Sequence, residues 1–60
     1  MIITTSTAGA SIAINPHNVV SVKEYDTEKI YVTFVNGTGQ YLKKNFLDFV
    51  GELRYYVEKG

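Results

Sequence analysis

Lysines and tyrosines recur at two-residue spacing through the middle of this sequence. Lys23 and Tyr25 form one pair, Lys29, Tyr31 and Thr33 a second group, and Tyr41 and Lys43 a third, with Lys44 adjoining. In an extended chain side chains alternate between faces, so residues two apart project from the same side. Aromatic rings interleaved with cations on a sheet can do two kinds of binding chemistry. Rings can stack single-stranded bases while lysines neutralise phosphates. Alternatively, tyrosines provide the stiff, amphipathic contact area characteristic of protein interfaces. A third reading is a plain solvent face held by cross-strand Tyr–Lys and Tyr–Thr pairs.

The other reactive side chains do not assemble into catalytic sets. His17 is the only histidine and follows Pro16 without a neighbouring carboxylate, and there are no cysteines, so no metal ligand set is expected. Asp48 and Glu52 are four apart and suit the polar side of a helix. Gly37-Thr38-Gly39 joins two strands instead of opening a helix, which removes the logic of a phosphate-binding loop. Serines 6, 11 and 21 have no histidine–acid partner at a suggestive spacing. A chain of 60 residues seldom encloses a water-excluding site. The expectation is a non-enzyme with no cofactor and no small-molecule substrate.

The elements that must position the lysines and tyrosines divide into a β-rich front and a helical back. Residues 2–5 and 11–14 are β-branched runs around Gly9 and predict a β-hairpin over 2–14. Asn15-Pro16-His17-Asn18 interrupts, because proline has no amide hydrogen for a ladder. Residues 19–25, 29–35 and 40–43 then predict a β-meander over 19–43. From Asn45 the period becomes helical, with Phe46, Phe49, Val50, Leu53 and Val57 on one stripe. Asn45 suits the N-cap of a helix over 45–59, and Asp48 the positive helix end. The fold class expected is α+β, an antiparallel sheet of four to five strands with one C-terminal amphipathic helix on one face.

Alternation assigns Val20, Val22, Ile30, Val32, Phe34 and Leu42 to the side that carries the helix. Val19, Ser21, Lys23, Tyr25, Lys29, Tyr31, Thr33, Val35, Tyr41 and Lys43 fall on the other. At the helix end, Arg54 beside Tyr55 reads as an exposed cation–aromatic pair and a possible second protein contact, with Tyr56 near the apolar stripe.

Length and composition allow one small domain, residues 1–60, near the lower limit for independent folding. Six basic residues balance six acidic ones, so no global field draws the protein to duplex DNA. The aromatic face of so small a domain suggests a homodimer. No apolar run reaches membrane-spanning length, and the first residues lack a signal-peptide pattern, so a soluble cytoplasmic protein without a membrane partner is expected.

The run Asn15-Pro16-His17-Asn18-Val19-Val20-Ser21-Val22, a further strand, Asn36-Gly37, a short strand and a helix resemble the small flagellar FlbD-type proteins over nearly the whole chain. The second half also resembles the core of LytTR-type DNA-binding domains. Met1-Ile2-Ile3, Thr5, Gly9, Ser11-Ile12 and Ile14 look like the start of carbon storage regulators, swapped β-rich dimers that bind messenger RNA. Ser6 stands where that family has an early arginine, and Lys44 is the counterpart of its later RNA-contacting arginine. These resemblances imply a small, non-catalytic regulator of bacterial or phage type.

The leading functional expectation is therefore a regulator that binds single-stranded RNA or DNA. Tyr25, Tyr31 and Tyr41 would be stacking platforms, Lys23, Lys29, Lys43 and Lys44 phosphate contacts, and Thr33 part of the same face. The alternative is a protein–protein interaction module that modulates a larger host or phage protein through that face, or through Arg54 and Tyr55.

Overall fold

A computed structural model describes residues 1–59. Strands β1 (Ile2–Thr5) and β2 (Ser11–Ile14) form an antiparallel hairpin, followed by a short 3-10 turn at Pro16–Asn18. Strands β3 (Val19–Asp26), β4 (Lys29–Phe34) and β5 (Gly39–Leu42) form an antiparallel meander, and helix α1 (Phe46–Lys59) closes the described chain. The fold is α+β, with five strands in a two-stranded and a three-stranded sheet and one C-terminal helix.

Turn chemistry accounts for the connections. Gly9 and Gly37 have φ of 90° and 89°, left-handed conformations that a Cβ disfavours. At the second turn Gly37 N–H donates to the Phe34 carbonyl, and Phe34 N–H donates to that of Thr38. The Asn36 side-chain oxygen accepts from the Thr38 amide and hydroxyl, so the loop is held by local side-chain bonds. Asn15 does the same for the proline turn, accepting from His17 N–H. Asn45 caps α1: its Oδ1 accepts from Asp48 N–H at 3.2 Å, and Asp48 lies in the first turn.

The two sheets are not independent. Ser6 bridges to Leu42, and Lys43 N–H donates to the Thr5 carbonyl, so the hairpin attaches to the outer edge of β5. Ser6 is only 3% exposed, and its hydroxyl accepts from Ala10 N–H, which satisfies a polar group that burial would otherwise penalise. The core gathers one or more residues from most elements: Ile2, Ile14, Ile30, Val32, Leu42 and Phe49. Phe49 is its largest member and the one fully buried residue that α1 contributes.

Two expectations about facing need correction. A register shift between Val19 and Ser21 turns Val19 toward the core and leaves Val20 63% exposed, the reverse of strict alternation. The cause is a β-bulge, which inserts an extra residue and re-aims the side chains before it. On α1 the stripe packed on the core is Phe46, Phe49, Leu53 and Tyr56, while Val57 is 49% exposed. The helix is rotated toward Tyr56, so the large ring covers the sheet in place of the smaller valine.

The tyrosine and lysine surface

Pairing register brings the predicted face together. Lys23 stands opposite Tyr31, and Tyr31 opposite Tyr41, forming one row across all three strands. Ser21, Thr33 and Gly39 form the next row. Directly opposed residues share a face, so this side of the meander is the one turned away from Ile30, Val32 and Leu42.

Tyr25 enters by a different route. A second register shift lies between Glu24 and Asp26, which leaves Tyr25 as an extra residue on β3. Its ring nevertheless meets Tyr41 edge-on, with centroids 5.4 Å apart. Tyr31 packs on Tyr41 from the other direction at 4.7 Å and 61°. The three rings thus form a continuous edge-to-face cluster, an arrangement favoured by the ring quadrupole.

Lys29 completes it. Its Nζ lies 4.9 Å from the Tyr25 centroid and 4.8 Å from that of Tyr41, so one ammonium is shared by two rings. The lysine stem is half-buried, while Tyr25 remains 59% and Tyr41 37% exposed. Burial first, then the neighbouring Tyr25 and Tyr31 phenols, push the Tyr41 phenol above its ordinary pKa. Tyr41 therefore presents a neutral hydroxyl.

Gly39 explains why Tyr31 lies flat enough to meet Tyr41. Any Cβ at this position would overlap the Tyr31 phenol. The absent side chain is the seat of the ring, a strand glycine covered by an aromatic neighbour. From sequence Gly39 is expected only as a turn residue; a glycine at the start of a strand beside a tyrosine-bearing strand is the signal that marks the seat.

The candidate lysines differ in availability. Lys29 is engaged by the rings, and Lys44 forms an ion pair with Glu52 on α1. Lys23 and Lys43 are exposed, and among the described residues neither takes part in an ion pair. Glu24, Asp26 and Glu28 are exposed around the β3–β4 turn, so the rim beside Tyr25 is acidic.

The second candidate contact is arranged differently from expectation. Arg54 pairs with Glu58 at 3.7 Å on the exposed side of α1. Tyr55, 59% exposed, meets Tyr56 edge-on and has Lys59, not Arg54, over its ring at 5.8 Å. Residues 55 and 59 are one turn apart and so are neighbours on the helix surface. His17 is exposed in the proline turn. Among the described residues no three metal-ligating side chains cluster, and no helix is long and apolar enough to cross a membrane.

No family model matches the chain, and comparisons with curated proteins and with solved structures likewise return no match.

Proposed function

We propose that this protein is a small non-catalytic binding module that docks on a protein partner through the Tyr25–Lys29–Tyr41 surface, with Tyr31 as its support. The observation that carries the reading is the edge-to-face tyrosine cluster around Lys29. Pre-packed rings lose little conformational freedom on association, and tyrosine rings surrounded by polar rim residues match the composition of interface hot spots. The acidic rim at Glu24, Asp26 and Glu28 suits a partner patch carrying basic residues. Regulation of a larger protein in the cytoplasm is the role that such a module would serve.

A second reading, single-stranded nucleic acid, draws on the exposed Tyr25 ring, on Lys23 in the same face and on Lys43, exposed just past the end of β5. Salt separates the two. With single strands, each phosphate contact contributes a slope of about −0.7 to log affinity against log salt. Two open lysines would then weaken binding roughly sevenfold between about 50 and 200 mM salt, and all four roughly fiftyfold. A protein interface built on aromatic contact should hold across the same range. Retardation of a mixed oligonucleotide pool at low salt that fades with that slope would favour the nucleic-acid reading; its absence, with salt-resistant protein capture, would favour docking.

A further inference from the structure

Beside the core strands the surface carries a recess that the tyrosine surface does not include. A groove of about 380 Å³ lies between β2 and the β4–β5 turn, within the size range of built ligand sites. Ile12, Ile14 and Phe34 line it with apolar surface, while Asn15, Asn36 and Gln40 bring carboxamides to it. None of its lining residues is ionisable.

The hydrogen-bond pattern shows what the groove lacks. Asn15 Oδ1 and Asn36 Oδ1 already accept local bonds, which leaves the two Nδ2 groups as donors without a partner among the described residues. Gln40 is the converse: its Nε2 donates to the Tyr41 carbonyl, and its Oε1 is the open acceptor. The backbone of β2 adds more. Ser6 N–H donates to the Ala10 carbonyl, so residues 6 and 10 are a hydrogen-bonded pair. Alternation then makes Thr4–Ile12 and Ile2–Ile14 hydrogen-bonded pairs and Ile3–Ala13 a non-bonded one. The N–H and C=O of Ala13 therefore point away from β1. Ala13 is exposed, lines the groove, and belongs to a strand that, among the described residues, has no partner on its second side.

From this geometry we infer that the groove binds an uncharged, extended peptide segment of a partner protein, which adds as a strand to the free edge of β2. The peptide backbone bonds Ala13 and the carboxamides, and alternate apolar side chains settle against Ile12, Ile14 and Phe34. Main-chain bonds give such sites their affinity, and the alternate side-chain pockets give them selectivity. The absence of charge in the lining excludes charged side chains at the inward positions, because each would be desolvated without a counter-ion. The four residues of β2 set the recognised length at about four residues. This site is separate from the tyrosine surface, which lies on the opposite side of β4.

The test uses the full chain and two blocked pentapeptides, Thr-Val-Thr-Val-Thr and its charged counterpart Thr-Glu-Thr-Glu-Thr, titrated while backbone amide shifts are followed. The expected result is saturable movement of the amides of residues 12–15, 36 and 40 with the valine peptide, and about tenfold weaker binding of the charged one. Ala13→Pro removes the outward amide while sparing the β1 ladder, and should weaken binding by about tenfold. If that variant melts, the shifts of the unchanged chain decide. No movement at millimolar peptide, equal binding of both peptides, or movement confined to Tyr25, Tyr31 and Tyr41 would overturn the inference; the last would leave the docking role of the tyrosine surface standing.

Discussion

The two sides of β4 are made from alternate residues of one six-residue strand, yet they do opposite things. Ile30 and Val32 are fully buried, in the same core cluster as Phe49 of α1. Lys29, Tyr31 and Thr33 are half-buried, and the first two pack on the Tyr41 ring of their own face. The first side owes its cohesion to removal of apolar surface from water, a contribution of about 1.5–3 kcal/mol for each fully buried large side chain. The second owes its shape to ring–ring and cation–ring geometry, worth about 0.5–1.5 kcal/mol per pair. One side is therefore built for stability and the other for presentation, and substitutions should separate them.

The sharpest separation is at Phe49. Phe49→Ala should cost about 3–5 kcal/mol and leave most of so small a chain unfolded, as seen in circular-dichroism melting. Tyr41→Ala should leave a cooperative melt only modestly lowered. If both variants melt alike, the division between the two sides is wrong. Next comes Gly39→Ala, expected to displace the Tyr31 ring at a cost of about 1–2 kcal/mol. In a Tyr31→Ala background the same change should cost almost nothing, and a cycle without that coupling would show that Gly39 is not the seat of the ring.

The bulge at Val19–Ser21 supports a smaller contrast. Val19→Asp should destabilise by about 1 kcal/mol or more, whereas Val20→Asp should stay within about 0.5 kcal/mol, as measured by urea unfolding. Equal effects would restore strict alternation. Smallest is the titration of Tyr41. Its phenol is held above its ordinary pKa, so the folded state keeps a proton that the unfolded chain releases near pH 10. The associated stability is complete below about pH 10 and is lost as pH rises toward the folded-state value. Tyr25→Phe removes an ionisable neighbour and should move the absorbance titration of Tyr41 back down; no movement would mean burial alone sets it.

Much of this division is legible in the sequence, because period-two spacing sorts Lys23, Lys29, Tyr31 and Tyr41 from Val22, Ile30, Val32 and Leu42. The helix and its Asn45 cap follow from the change of period and from a side chain that accepts backbone bonds. What alternation misses comes from events with no local signature. A bulge at Val19–Ser21 reverses two valines, and helix rotation exchanges Val57 for Tyr56. The bridge of Ser6 to Leu42 joins segments far apart in the chain, so the groove beside β2 has no linear pattern either. Tyr25 shows the opposite case: its strand register shifts, yet the flexible ring still reaches Tyr41.

The most direct test of the docking surface is comparative capture from a host lysate, using the immobilised protein and its Tyr25→Ala variant, after nuclease treatment and at two salt concentrations. A docking module predicts a discrete protein retained by the parent chain at both concentrations and lost from the variant, while Val20→Asp retains it. Retention indifferent to Tyr25, or recovery only of nucleic acid that is released as salt rises, would contradict the assignment.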